Sequence, residues 1–284
     1  MLGVCMRACS VVCAVFPVPS QDERGSVEII EKNGLRYYRT HLDVNHAVFT
    51  RQGGVSPAPF AGLNVGGTVG DDVANVRANH ALMYEALGVN GARAVTTWQV
   101  HGADVVAAHG PLPNRRWLAR ADAIITNQPG VPVAMRFADC LPLLFHDPVR
   151  QVIGMAHAGW RGTVQGVGSA TVAAMQACYG TRPQDVRAAI GPGISAAHFQ
   201  VGEEVVAAVE ARFGAGHALA RRDPHDGTFY VDLWEANRLD LVRSGVPAEN
   251  IEVMGLCTYE RTDEFYSHRA EKGRTGRFGA VICL

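Results

Sequence analysis

Apolar and polar positions switch between a two-residue and a 3.6-residue period along this chain, and the switches mark its elements. Residues 27–50 read as short strands, with Ala47-Val48-Phe49-Thr50 the clearest. Arg51-Gln52-Gly53-Gly54-Val55-Ser56 is a glycine-rich turn, and 57–70 continues as loop. Asp71 or Asp72 is placed to cap a helix running to Leu87, because Val76, His80, Met83 and Leu87 share one face and Gly88 stops it. Strand runs follow at 94–98, 104–107, 123–126, 131–137, 141–145 and 152–156, separated by turns such as Gln128-Pro129-Gly130 and Asp147-Pro148. A helix is predicted over 162–179, with Val167, Thr171, Ala174, Met175 and Cys178 on one side. A buried strand at 186–190 ends in Gly191-Pro192-Gly193. Helices at 203–213 and 232–243 and closing strands at 251–256 and 278–283 complete the pattern. Strands and helices interleave without an internal repeat, which predicts an α/β fold: a single compact domain of mixed sheets sandwiched with helices.

Composition excludes several function classes. Of 284 residues, 48% are hydrophobic and 19% charged, an ordinary globular balance with ample material for a core. The net charge is -1 and no Lys/Arg block stands out, so no nucleic-acid partner is expected. No apolar run reaches the roughly 18 residues of a bilayer span, so no membrane association is expected either. Seven cysteines, an odd and widely spaced set, fit reduced thiols in the cytoplasm better than a disulfide framework.

The N-terminus stands apart. It holds Cys5, Cys9, Cys13, a single basic residue (Arg7) and an apolar run over 11–18. It lacks the basic start and small-x-small cleavage pattern of a secretory signal. Residues 1–26 are therefore expected to be a disordered or misassigned extension, and 27–284 the folded domain. The spacing of the three cysteines also suggests a metal tract.

Chemistry concentrates elsewhere. Ala138-Asp139-Cys140-Leu141-Pro142 and His157-Ala158-Gly159-Trp160-Arg161-Gly162 flank one hydrophobic hairpin's worth of sequence, and Trp98-Gln99-Val100-His101-Gly102 ends an earlier strand-like run. His101, Cys140 and His157 each sit where a β-run meets a glycine or proline turn. Two imidazoles and a thiolate form a three-ligand set for zinc, with a fourth position left for water or substrate. Copper is the other candidate metal. The competing reading is a small inert buried cysteine and two hydrogen-bonded histidines.

Gly159-Trp160-Arg161-Gly162 precedes a helix, so its free N–H groups and Arg161 suit an anion. It equally reads as a helix start with Trp160 packed and Arg161 solvated. Arg51 in its glycine turn, with Asn64, forms a second polar arm, although alone it reads as a turn. Ser267-His268-Arg269 to Thr275-Gly276-Arg277 is a basic loop that binds anions or lies on the surface. The glycines follow neither GxGxxG nor GxxxxGK[ST] order, so no dinucleotide or P-loop site is indicated.

Taken in order, Arg51-Gln52-Gly53-Gly54-Val55-Ser56, Leu63-Asn64-Val65-Gly66, Gln99-Val100-His101, Ala138-Asp139-Cys140-Leu141-Pro142, His157-Ala158-Gly159-Trp160-Arg161-Gly162, Gly191-Pro192-Gly193-Ile194 and Thr275-Gly276-Arg277 resemble the laccase-domain family over about residues 45–284. That family is also described as multicopper polyphenol oxidases, purine nucleoside phosphorylases and peptidoglycan-editing factors. The resemblance implies a metal, usually zinc, on His101, Cys140 and His157, and phosphorolysis and deamination of adenosine and related purine nucleosides.

Catalytic work then falls to Asp139, Arg161 and Cys140. Asp139 is the expected proton carrier, or alternatively orients a ligand histidine. Arg51, Asn64, Gln99 and Arg269 are the expected substrate contacts, with Arg161, Arg51 and Arg269 around phosphate. The partners are a purine nucleoside and phosphate, acting on a monomer. Two segments depart from the family. Phe199-Gln200-Val201-Gly202 stands for Tyr-Glu-Val-Gly, and Ser267-His268-Arg269-Ala270 for Ser-Tyr-Arg-Arg, which removes one arginine.

Two other activities follow from the same residues. One is a copper-dependent polyphenol oxidase, although no two histidines stand at the HxH spacing of multicopper sites. The other is a thiol hydrolase or amidase editing cell-wall precursors, with Cys140 as nucleophile, His157 as base and Asp139 as orienter. A purely structural metal site is a third, non-enzymatic reading, but it calls for four protein ligands.

Overall fold

The computed structural model describes residues 27–112 and 117–284. The predicted extension over 1–26, with its three cysteines, lies outside the described residues.

The chain opens with an antiparallel meander, β1 (Glu28–Lys32), β2 (Leu35–Arg39) and β3 (Asn45–Phe49). After the glycine turn and loop comes α1 (Val73–Leu87). Asp72 caps it by accepting from the Ala74 N–H, and Gly88 ends it with φ 70°. Then follow β4 (Val105–Ala107), β5 (Ala123–Thr126), β6 (Val133–Phe137), β7 (Leu141–Asp147) and β8 (Val152–Ala158). The predicted strand at 94–98 does not form; Val95 and Trp98 make isolated bridges to Val133 and Arg120.

The helix predicted over 162–179 is two helices. α2 (Trp160–Gln165) starts earlier, and α3 (Val167–Tyr179) follows it. Gly166 separates them at φ 79°, a left-handed conformation that closes α2 with bonds to the Gly162 and Thr163 carbonyls. The remainder is β9 (Arg187–Ile190), β10 (Gln200–Val201), α4 (Glu203–Phe213), β11 (Ala220–Arg222), β12 (Phe229–Val231), α5 (Leu233–Arg243), β13 (Ile251–Val253) and β14 (Phe278–Cys283). β13 is shorter than the predicted 251–256, and the small strands β10 to β12 carry too few residues for a pattern to show.

Among the described residues the strands form three sheets. One is antiparallel in the order β1-β2-β3-β14-β6, and one is mixed in the order β13-β9-β7-β8-β5-β4. The third, β10-β12-β11, is small and antiparallel. The two large sheets face each other across Ile124, Leu144 and Met155 on one side and Met135, Phe137, Phe278 and Ile282 on the other. The opposite face of the mixed sheet, with Ile125, Leu143, Phe145 and Ala156, packs on α3, α4 and α5. The opposite face of the antiparallel sheet packs on α1 through Phe49, Ala47 and Met83. Each alternation along a strand thus serves two cores, which is why β7 and β8 read as unbroken apolar runs. The result is one compact α/β domain of sheets and helices.

One buried histidine makes this fold acid-sensitive. His46 in β3 is 1% exposed, donates from Nδ1 to the Val44 carbonyl and accepts the Thr40 N–H at Nε2. Burial outweighs the Val44 bond and brings the imidazole down to about 4. The unfolded chain protonates near 6.5, so between these values the unfolded state binds more protons. Its contribution is complete above about pH 6.5 and is lost as pH falls towards 4, by roughly 3 kcal/mol. Urea unfolding at pH 7 and pH 4.5 is expected to show this loss, and His46→Gln to flatten it. An unchanged acid limb in the variant overturns the assignment.

Candidate metal centre

The open end of the β7–β8 hairpin organises the site. The register pairs Leu141 with Ala158 and Pro142 with His157, so Cys140 and Gly159 meet one step beyond the last pair. A Cβ on Gly159 would lie 2.9 Å from Cys140 Sγ and 3.2 Å from His101 Cδ2. Glycine is needed there so that His101 and Cys140 can approach each other.

His101 arrives from the loop before β4 with φ 63°, and Asp139 precedes Cys140 with φ 78°. Both conformations are uncommon for side-chain-bearing residues and are held by specific bonds. The Asp122 carboxylate accepts the N–H groups of Val100, His101 and Gly102 at 3.1, 2.9 and 2.7 Å. The Asp139 carbonyl accepts the Ile194 N–H at 2.9 Å.

The ligand atoms of His101, Cys140 and His157 lie within 4.8 Å of one another. Asp122 Oδ1 also takes the His157 Nδ1 proton at 2.8 Å, and its carbonyl accepts the His157 backbone N–H at 2.7 Å. This fixes the tautomer and leaves Nε2 to face Cys140. Burial would raise the Asp122 carboxyl, but the His157 bond and the Gly102 and Val100 amides hold it below its usual range. Burial would likewise raise the Cys140 thiol, yet the His157 charge and bonds from both histidines bring it down. For His157 the burial penalty is overcome by the Cys140 charge and the Asp122 bond, which push the imidazole up. A thiolate and a histidine with an anchored ring are a donor set that fits a zinc-class ion.

The other predicted site residues are placed as follows. Asp139 accepts from Thr258 Oγ1 and the Arg269 N–H, both at 2.7 Å, so it ties two loops to the Cys140 segment. The carboxylate that orients the His157 ring is Asp122, not Asp139, to which that role was the alternative expectation. Arg161 is exposed, with its guanidinium 4.3 Å over the Trp160 ring. Arg269 bonds the Gln200 carbonyl at 2.8 Å and lies over Phe199.

Three expected substrate contacts are already engaged within the protein. Arg51 bonds Glu271 at 3.0 Å and lies 4.2 Å over Tyr266. Asn64 is buried between Asp71 and the Arg277 N–H, at 2.8 Å from each. Gln99 donates to the Arg136 carbonyl at 2.8 Å and accepts from its guanidinium at 3.1 Å.

Two residues escaped sequence reasoning. Asp122 begins an apolar strand and is 0% exposed; a carboxylate there needs partners, and that was its signal. Arg277 was seen as part of a basic loop without a role. Burial pulls its guanidinium down, while the charges of Cys140, Asp139 and Glu271 raise it, and its Nη1 donates to the Thr275 and Gly276 carbonyls at 3.1 and 2.7 Å.

Known proteins share this architecture. The model of the multi-copper polyphenol oxidoreductase laccase family matches residues 45–284. A purine nucleoside phosphorylase of Deinococcus radiodurans is 43% identical over 244 residues, covering 86% of this chain and 90% of that protein. The purine nucleoside phosphorylase YlmD of Bacillus subtilis is 38% identical, covering 82% of this chain and 86% of that protein. The crystal structure of YlmD from Geobacillus stearothermophilus superposes with a TM-score of 0.82 at 34% identity, covering 90% of this chain and 98% of that one. The family match over residues 45–284, together with relatives of 38–43% identity that share most of their length with it, places this chain in the multi-copper polyphenol oxidoreductase laccase family.

Proposed function

We propose that this chain is a zinc-dependent purine nucleoside phosphorylase acting on adenosine, inosine and methylthioadenosine, with adenosine deaminase activity, working in the cytoplasm as a monomer. The observation that carries this reading is the convergence of His101, Cys140 and His157 around an Asp122-anchored ring. The names of the curated relatives support the substrate class. Among the described residues no helix is long and apolar enough to cross a membrane.

Zinc on these residues supplies a Lewis acid that makes water nucleophilic at neutral pH. The chain does the rest. Asp122 keeps the proton on His157 Nδ1, so Nε2 remains a ligand atom. Arg277 presents positive charge towards Cys140 and Asp139, where an anionic co-substrate is drawn in. Arg161, stiffened on Trp160, adds a second cation at the mouth. Asp139 acts mainly by holding Thr258 and the Arg269 backbone against the ligand loop. Arg51, Asn64 and Gln99 are held by their internal bonds to Glu271, Arg277 and Arg136.

Metal analysis of purified protein, paired with chromatography of adenosine products, tests the proposal. Adenine and ribose 1-phosphate are expected with phosphate, and inosine without it. Zinc-free protein that oxidises phenols with copper overturns it. A charged hydrogen-bond partner is worth about 1.5–3 kcal/mol, so Arg161→Ala is expected to weaken phosphate use roughly 10- to 100-fold and to affect deamination far less. Arg277→Ala is expected to weaken phosphate use in the same direction. Equal losses in both reactions count against a phosphate role.

The folded unit is assigned to 27–284. Deleting residues 1–21 is therefore expected to leave melting temperature, zinc per chain and nucleoside turnover unchanged. A drop in any of them brings Cys5, Cys9 and Cys13 back as ligands or packed residues.

A further inference from the structure

A second set of metal-type donors lies beside the first. His198, Cys257 and Glu260 bring a nitrogen, a sulfur and a carboxylate oxygen within 4.8 Å of one another. Two loops supply them. The segment after β9 carries His198, and the segment after β13 carries Cys257 and Glu260. A bridge between Gly193 and Cys257 zips the loops together, with Thr258 N–H donating to the Gly193 carbonyl at 3.1 Å.

Each donor is aimed. His198 Nε2 lies 2.8 Å from Glu260 Oε1, and Tyr259 stacks on the imidazole at 4.4 Å between centroids and 15° between planes. The ring is therefore held between the Tyr259 ring and the Glu260 carboxylate. Cys257 is 3% exposed, and its sulfur accepts the Ser195 N–H at 3.4 Å. Metals bind cysteine as the thiolate. Ser195 Oγ is buried in the same turn, with no hydrogen-bond partner among the described residues. An ordinary surface ion pair between His198 and Glu260 leaves the inward sulfur and this hydroxyl unexplained.

We propose that His198, Cys257 and Glu260 form a second divalent-cation site, separate from the His101/Cys140/His157 centre. Imidazole, thiolate and carboxylate together select a borderline ion such as zinc rather than a hard calcium or magnesium. Binding releases the Cys257 proton to solvent, and the half-exposed side of Glu260 leaves a coordination position for water. The site is wired to the first one. Thr258, next to Cys257, donates to Asp139 at 2.7 Å, and Asp139 precedes the ligand Cys140. An ion here pins the loops that hold Asp139, so it braces the primary centre without touching it.

Zinc per chain of the full-length protein, dialysed to equilibrium at one buffered free-zinc concentration, tests the proposal. Relative to the unaltered protein, His198→Gln and Glu260→Gln are each expected to lose about one equivalent. Cys140→Ala loses a different one, and Cys140→Ala with His198→Gln loses both. Glu260 is 55% exposed, so Glu260→Gln keeps the fold, which circular dichroism checks. With cobalt as the probe, Cys257→Ser is expected to remove part of the thiolate-to-cobalt absorption. Undiminished zinc in both His198→Gln and Glu260→Gln overturns the site. Undiminished zinc in Cys140→Ala alone overturns the primary centre and leaves this one standing.

Discussion

Cys140→Ala is expected to strip the metal from the His101/Cys140/His157 centre and to lower nucleoside turnover by at least about 100-fold. The thiolate is the charged member of the set, and two neutral imidazoles hold a divalent ion far less well. Lewis-acid stabilisation of several kcal/mol disappears with the ion, at tenfold in rate for each 1.4 kcal/mol or so. Elemental analysis and kcat/KM on the same preparation check both halves. Full occupancy in the variant sinks the ligand assignment. Alkylation separates this reading from a cysteine hydrolase. A metal-bound Cys140 is expected to be shielded from iodoacetamide until the metal is chelated, whereas a nucleophile reacts, and the protein dies, in the loaded state. The low-lying thiol makes the chelated protein the faster-reacting form near neutral pH.

Asp122→Asn is expected to weaken zinc binding 10- to 100-fold with all three ligands intact. An amide cannot take the His157 Nδ1 proton with the same strength, and its NH2 faces N–H groups of Val100, His101 or Gly102 that now lack an acceptor. Each orphaned buried donor costs about 1–3 kcal/mol, so the melting temperature falls as well. A zinc titration read against a competing chelator separates the two effects, because excess metal should restore occupancy and part of the activity. Unaltered zinc affinity in a folded variant means that Asp122 only supports the backbone.

Much was legible in the chain because it depends on local chemistry. Asp72 and Gly88 mark α1 since a carboxylate caps and a glycine turns left-handed wherever they occur. His101, Cys140 and His157 were visible because such side chains are costly in apolar runs, and the structure brings their donor atoms within 4.8 Å of one another. Gly166 shows the limit of pattern: a 3.6 period continues across 162–179, but one left-handed glycine divides it into α2 and α3. The bridge-making segment at 94–98 shows another, since it pairs with β6 at Val95 and with 118–121 from Thr96 to Trp98, and no ladder builds on either side.

The sequence by itself determined the caps, the two-faced apolar strands and which His and Cys stand at turns, because each is set by neighbours a few residues away. Tertiary structure decided which carboxylate orients His157, since Asp122 reaches it only through the β5–β8 pairing, 35 residues distant in the chain. It likewise engaged Arg51, Asn64 and Gln99 in bonds within the protein and brought Thr258 to Asp139 from 119 residues away. Such partnerships depend on strand order and loop closure, and no local period encodes them.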